Sequence, residues 1–398
     1  VKERKRFAIG KALIATVLMS TVLTACWDKV EINDLALVSM FGVDIDPETG
    51  IKTLYYQIIN PLAVASAKST SGGEQAPVYT YKLTGKSFGE IRSLAYKVLP
   101  RKLFVAHYKA VVVSERTAQH GLREIINYIE VQSTARSSIP MLVADGSIDK
   151  IMKIFLPFDR LPSDSVASRL RLLTQESLLM SKHIRVKDFS EQLYDSKFIV
   201  MPMIRGKSGS AKQRSSEIAS NIDAEENNLF ISGAALFHGD RMIERLNDTD
   251  LIWYHLLTGV KGKQTLKFQL DGKKITLQIK QVNYNKTVKL NKNKPVLTIN
   301  MDLQLSTGLA TEPIPQNWEE VKDLERKMKQ YLTSELNQFF EKTSKKGWDL
   351  LDIRGEVKRT FPHKAKMVLN NSQYLKEADV VINVGVKFLN IGSIIKPF

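Results

Sequence analysis

Apolar and polar residues alternate along this chain in two rhythms, one of period two and one near 3.6, which replace each other in blocks. "DLALVSMFGVDID" and "KTLYYQIIN" read as strands flanking "PETG", where Pro47 and Gly50 supply turn chemistry. "VYTYKLTG" alternates as a third strand. In "SFGEIRSLAYKVL" the apolar residues Phe88, Ile91, Leu94, Ala95 and Val98 recur at helical spacing, and Pro100 stops the helix. "KLFVAHYKAVVVSE" is valine-rich and predicts a buried strand; "HGLREIINYIE" predicts a helix, "SSIPMLVAD" a strand and "SIDKIMKIF" a helix. Strands thus alternate with helices from about residue 77 to 157, which predicts an α/β layer with helices covering a sheet. Helices in "SDSVASRLRLLTQESLLM" and "VKDFSEQLYD" and a strand in "FIVMPMI" complete this half.

Two polar stretches interrupt the pattern. "AVASAKSTSGGEQA" holds too few large apolar groups to pack and reads as a flexible loop. "RGKSGSAKQRSSEIASNIDAEENN" has no apolar period and places a boundary between two bodies at residues 206–228. After it, "LFISGAALFHGDRMIERL" reads as a strand pair turning at "HGDR", followed by a short helix that Asn247 or Asp248 caps. "TLKFQLDGKKITLQIKQV" is the clearest hairpin: Leu266, Phe268 and Leu270 face the same side as Ile275, Leu277 and Ile279 across an Asp271-Gly272 turn. "KPVLTINMDLQLST" alternates through Leu297, Ile299, Met301, Leu303 and Leu305. The longest helix follows, with a stripe of Val321, Leu324, Met328, Tyr331/Leu332, Glu335 and Phe339. A helix in "DIRGEVKRTF" ends at Pro362, and "ADVVINVGVKFLNIG" closes as a strand, so the second half reads as α+β.

The first residues follow neither rhythm. Lys2, Arg4, Lys5, Arg6 and Lys11 form a cationic start, and "ALIATVLMSTVLTA" then runs 14 residues without a charge. As a helix it reaches roughly 21 Å, short of the ~30 Å hydrocarbon core, and suits a signal peptide over residues 1–25 better than a permanent span. Its end, Leu23-Thr24-Ala25-Cys26, has the form of a bacterial lipobox: an aliphatic residue, two small or polar ones, then cysteine. Cleavage is expected between Ala25 and Cys26, with a diacylglyceryl thioether and fatty acyl such as palmitate on Cys26 and no other cofactor. Each buried acyl CH₂ contributes roughly 0.8 kcal/mol, so a multiply acylated Cys26 holds a chain firmly to a membrane. An uncleaved anchor helix with an incidental thiol, or ordinary secretion, is the competing reading. Cys26 is the one cysteine of 398 residues, which excludes an internal disulfide.

Composition adds a location for charge. The net charge is +16, and five Lys/Arg and one Glu in residues 1–25 leave the remainder near +12. Between Lys261 and Lys294 stand ten lysines and one acid, Asp271. This strip suits an anionic surface such as lipid headgroups or wall polymers, or else a solvated strand face whose lysines block edge-to-edge pairing. Lysine without arginine on an exported chain argues against nucleic acid. Some 370 residues exceed one comfortable core and predict several domains.

No P-loop, dinucleotide fingerprint or Gly-x-Ser-x-Gly elbow is present, and the six histidines stand apart without ligand spacing. His107 within "FVAHYKAVVV" is the residue a search for a site would choose, though a histidine in a valine-rich strand is more often a core or edge residue. Asp28, Glu31 and Asp34 mimic an acidic site or form a solvated tether face, and Trp27 suits the headgroup level. No residue is assigned a catalytic, metal or cofactor role.

"CWDKVEINDLALVSMFGVD" at the lipidation site resembles the start of the Ger(x)C family, the C subunits of spore germinant receptors. "YYQIINP" (55–61), "RKLFVAHYKAVVVSE" (101–115), "GLREIINYIE" (121–130), "SGAALFHGDRMI" (232–243), "RGEVKRTFP" (354–362) and "LNIGSI" (389–394) resemble it in the same order. The resemblance implies a non-enzymatic lipoprotein of the spore inner membrane, its body on the outer face. It implies action with integral-membrane A and B subunits that sense nutrients and trigger germination, with direct small-molecule binding by this chain not expected. It also implies three domains, so the expected division is 1–25 signal peptide, 26–205 α/β, 206–228 linker, 229–285 β-rich and 286–398 α+β. The expected fold class is α/β and α+β, a multidomain soluble body of mixed sheets with flanking helices behind a lipoprotein signal peptide. A solute-binding lipoprotein of a transporter and a wall-directed hydrolase are the alternatives.

Overall fold

The opening period-two segments become neighbours in one sheet. β1 (Leu35–Ile45) pairs antiparallel with β2 (Lys52–Ile59), and β2 with β3 (Val78–Gly85). The computed structural model describes residues 31, 34–61, 63, 76–132, 137–154, 156, 159, 161–180, 184–195, 197–207, 228–270, 272–307, 317–370 and 374–390. β4 (Lys102–Phe104) and β5 (Val111–Ser114) both run parallel to β1, so the segment expected as one valine-rich strand is two. Val105, Tyr108 and Ala110 are all buried, a spacing that strand alternation does not allow, and the chain loops out between them. Pairing resumes where the Lys109 amide donates to the Ser39 carbonyl (2.9 Å) and the Phe41 amide to that of Ala110 (3.1 Å).

β6 (Met141–Ala144) and β7 (Phe198–Lys207) extend the sheet in parallel, then β8 (Asn228–His238) and β9 (Arg241–Leu246) antiparallel. The order is β3-β2-β1-β5-β6-β7-β8-β9, with β4 beside β1. β7 and β8, on either side of the polar stretch at 206–228, are thus hydrogen-bonded neighbours; residues 208–227 lie outside the described residues. So does most of the 62–75 loop.

Helices cover both faces. α1 (Phe88–Val98), α2 (Glu115–His120), α3 (Arg123–Val131), α4 (Ile148–Met152), α5 (Pro162–Glu176) and α6 (Val186–Asp195) follow in chain order. α2, which no apolar period announces, starts where the Ser114 hydroxyl accepts the Thr117 amide (3.3 Å). Phe41, Val43, Val111 and Val143 pack with Phe88, Ile125, Ile129 and Phe189 of α1, α3 and α6. On the other face Met40, Val112 and Leu142 pack with Ile151 of α4 and Val166 and Leu170 of α5. β5 and β6 are buried along their whole length, which is why they read as continuous apolar runs rather than alternating ones.

From β9 the chain enters α7 (Asp248–Leu257), where Asn247 and Asp250 form a capping box. A second sheet has the order β10 (Gln264–Leu270), β11 (Lys273–Asn291), β12 (Lys294–Thr307), β13 (Asp379–Asn390). Leu266 stands opposite Leu277 and Phe268 opposite Ile275, the register that the hairpin pattern requires. Lys292 and Asn293 both take positive φ (46 and 66), the backbone of a tight two-residue turn between β11 and β12. Residue 285 lies inside β11.

α8 (Trp318–Lys345) packs on this sheet through Met328, Leu332, Leu336 and Phe339. The buried stripe passes through Leu336 rather than Glu335, because steps of four from Met328 reach 332 and 336. α9 (Ile353–Thr360) ends before Pro362, and Pro362 then opens α10 (Pro362–Leu369), since its missing N–H is one that a first helical residue does not use. α11 (Tyr374–Glu377) precedes β13. The opposite face of the sheet is polar: Asn285, Asn300 and Asn383 are cross-strand neighbours, and Asn383 Nδ2 donates to Asn300 Oδ1 (2.8 Å). Of the lysine strip, Lys267, Lys280, Lys289, Lys292 and Lys294 are exposed, whereas Lys286 turns inward to Glu356 (2.7 Å). Among the described residues no helix is long and apolar enough to cross a membrane.

α7 joins the two sheets. Its Leu251, Trp253 and Leu256 share one core with Ala234 and Leu236 of β8 and with Leu297, Ile299, Leu336 and Phe339. At its end Gly259 has φ +75, and a Cβ there would fall within the ring of Tyr284, whose hydroxyl donates to the Leu257 carbonyl (2.7 Å). His255 of α7 is buried, and its Nδ1–H donates to the Leu178 carbonyl. Burial pushes its imidazole down to about 4. An unfolded chain takes up that proton near pH 6.5, so acidification favours unfolding. We expect a His255-dependent loss of about 2 kcal/mol between pH 7 and pH 5. Denaturant titrations of the wild type and His255→Gln at both pH values check this: the variant's stability should fall less. Asp349, held above the ordinary carboxylate range by burial, works in the opposite sense and is shared by both proteins.

Candidate functional site

Ligands of open α/β sheets lie beyond the carboxyl ends of the parallel strands. Here that end is occupied by ion pairs. Arg116 donates to both oxygens of Asp44 (2.7 and 2.6 Å), near the end of β1. Arg245 of β9 bridges Glu115, after β5, and Asp145, after β6 (3.1 Å to the latter); Arg205 of β7 also donates to Asp145 (2.7 Å). Burial pushes the Asp44 carboxyl up, but hydrogen bonds from Arg116 and Ser114 outweigh it and hold Asp44 below its ordinary range.

At the amino ends of β5 and β6 lies a cavity of about 630 Å³, lined mainly by apolar groups including Ile59, Tyr108, Ile139 and Leu170. His107 stands at it, in the turn between β4 and β5 and not within a strand; it is exposed and meets the edge of Phe104 at 5.3 Å. The expectation of a core or edge histidine inside a strand is corrected by the looping-out described above. Ser163 Oγ, also at this cavity, is buried with no hydrogen-bond partner among the described residues.

The more polar cleft, about 640 Å³, opens where the two sheets meet. One wall is Phe198 at the start of β7 and His238 at the end of β8, with rings stacked at 4.8 Å. The other is the turn after α8 and the helix α9, with Lys286 of β11 between them. Asp349 organises this wall: it accepts the amides of Ile353 (2.7 Å) and Arg354 (2.9 Å) and the hydroxyl of Tyr374 (2.9 Å). A carboxylate at a helix N-terminus is favoured there by the orphan N–H groups and the dipole. Asp352 caps the same helix from the left-handed region (φ 53) and accepts from Gly355 N (3.1 Å). Burial opposes ionisation of Glu356, yet Lys286 and Arg359 hold its carboxyl below the ordinary range. Burial and the adjacent Asp349 push the Tyr374 phenol up.

The residues singled out by sequence for lipid attachment lie elsewhere. Leu23, Thr24, Ala25 and Cys26 are outside the described residues, as are Trp27 and Asp28. Glu31 and Asp34 are exposed, and the Asp34 amide donates to the Glu31 carbonyl (3.0 Å). Among the described residues no group of three or more His, Cys, Asp or Glu is placed to hold a metal ion.

Residues 28–206 match the family described as "Spore germination protein N-terminal domain", and residues 232–392 match "Spore germination B3/ GerAC like, C-terminal". Spore germination protein KC of Bacillus subtilis (strain 168) is 32% identical over 167 residues, a stretch that spans 41% of this chain and 41% of that protein. Spore germination protein GerQC of Bacillus cereus is 20% identical over 361 residues, 89% of this chain and 91% of that one. The crystal structure of the GerBC protein superposes with a TM-score of 0.55 at 14% identity, covering 88% of this chain and 97% of GerBC, and shows a shared fold. With the N-terminal and C-terminal family domains matched in order along most of its length, the chain belongs to the Ger(x)C family, the C-subunit family of spore germinant receptors.

Proposed function

We propose that this chain is the C subunit of a nutrient germinant receptor, a non-enzymatic lipoprotein held to the spore inner membrane through acylated Cys26. Its body stands on the outer face and acts with integral-membrane A and B subunits to trigger germination. The observation that carries this reading is the pair of family domains in tandem directly behind a lipobox. β1 starts at Leu35, nine residues past Cys26, so the chain between them spans at most about 30 Å. Such a leash keeps the body at the surface and raises its effective concentration for membrane partners.

The cleft between the sheets is the feature that favours the second reading, a solute-binding lipoprotein of a transporter. That reading asks for two similar α/β lobes joined by hinges. The second sheet instead has three antiparallel strands with one parallel edge strand, and it shares a core with the first through α7. Purification of the tagged chain from spore membranes in mild detergent tests the proposal. Two multi-spanning proteins are expected to come with it; recovery of the chain alone under conditions that keep other membrane complexes together counts against it.

A further inference from the structure

We propose that the cleft between the two sheets binds a small ligand bearing carboxylate or phosphate oxyanions, received by Arg354 and Lys358 of α9. This goes beyond the membrane partnership and does not depend on it. The cleft has the volume of small-molecule sites and lies at a junction between structural layers, where such sites concentrate.

Its charges are unevenly matched. Lys286 and Arg359 meet Glu356, and Arg359 also meets Asp352. Arg354 and Lys358, four residues apart and so on the same side of α9, have no carboxylate partner among the described residues, and both line the cleft. Of the carboxylates around Arg354 in sequence, Asp349 is already engaged by two backbone amides and a phenol, and Asp352 and Glu356 by Arg359. Arg354 is exposed, and its guanidinium lies 5.4 Å from the centre of the Tyr374 ring, a cation–π contact that favours one direction for the side chain. An arginine and a lysine one turn apart suit a ligand with two or more oxyanion oxygens better than a single charge. The stacked Phe198 and His238 rings, which line the same cleft, offer a flat surface to the ligand's organic body.

Titration calorimetry on the purified full chain in detergent, with inorganic pyrophosphate and citrate as probes, tests the assignment. Saturable one-to-one binding of at least one probe is expected, weaker at higher salt. Arg354→Gln and Lys358→Gln should each lower the affinity about tenfold or more, the effect of removing one charge-assisted hydrogen bond. Lys267→Gln, on the exposed face of β10, should leave it unchanged. Lys358 is exposed and makes no ion pair among the described residues, so its variant keeps the fold and decides the matter if Arg354→Gln proves unstable. The proposal is overturned if neither probe binds, or if Lys267→Gln weakens binding as much as Lys358→Gln does. Binding confined to phosphatidylglycerol vesicles, with no soluble probe bound, also overturns it, because the cations would then face a bilayer.

Discussion

Cys26→Ala is expected to shift the chain from the spore membrane fraction to the soluble fraction and to remove most of the nutrient-triggered germination response. One fatty chain gives only marginal, reversible membrane binding, and stable attachment takes two signals, which a diacylglyceryl thioether supplies on a single sulfur. Cys26 is the only thiol in the chain, so no second acylation site of this kind can replace it. On the proposed reading residues 1–25 complicate the variant, because a leader cleaved only before an acylated cysteine would stay attached. Its 14 uncharged residues reach roughly 21 Å against ~30 Å of hydrocarbon and make a poor anchor. A companion variant with an ordinary cleavable export signal and no Cys26 removes that ambiguity. Fractionation by immunoblot and dipicolinate release after nutrient addition are the readouts. A companion protein that is wholly soluble while spores respond normally would sink the tethering proposal.

Much of the first sheet is written in periodicity. β1, β2 and β3 alternate or run apolar, and α1 repeats Phe88, Ile91 and Ala95 on its buried face behind the Ser87 cap. What periodicity does not carry is adjacency. The polar stretch at 206–228 reads as a boundary, yet it is silent on whether the strands beside it are neighbours, and β7 and β8 are. β4 and β5 show a related limit. A run of valines declares burial, and Val105, Tyr108 and Ala110 stay buried through the loop even though strand geometry lapses.

The site was less legible than the fold. The lipobox-like Leu23–Cys26 segment stands out in the sequence because charge, apolar length, small residues and cysteine coincide there. The cleft draws instead on residues separated by as many as 182 positions, from Gln192 through His238 and Arg354 to Tyr374, and no local pattern unites them. One local signal was available. In "DLLDIRGEVKRT" two aspartates precede a helix whose Arg354 and Lys358 recur at a four-residue interval, an acidic cap followed by a basic side. His107 misled for the opposite reason: its valine-rich neighbours imply a core, but the loop that relieves their spacing turns it outward.

Phe237→Ala is expected to destabilise the chain by about 3–5 kcal/mol, a large share of the roughly 5–15 kcal/mol that holds a typical domain. Phe237 of β8 is fully buried, stands opposite Ile199 of β7 and meets Phe189 of α6 edge-on (5.3 Å, 89°). Removing the ring opens a cavity between sheet and helix and forfeits the aromatic pair, whereas Phe237→Leu keeps most of the volume and should cost far less. The position makes the experiment more than a test of packing. Phe237 follows the polar stretch at 206–228, while Ile199, Met201 and Phe189 of the same core precede it. If one sheet spans that stretch, the variant must loosen both sides together. Hydrogen exchange read by mass spectrometry should then show protection falling in β1, β5 and β6 as well as in β8 and β9. Loss confined to residues after 228, with β5 and β6 as protected as in the wild type, would show that the two sides fold independently in spite of the hydrogen bonds joining β7 to β8.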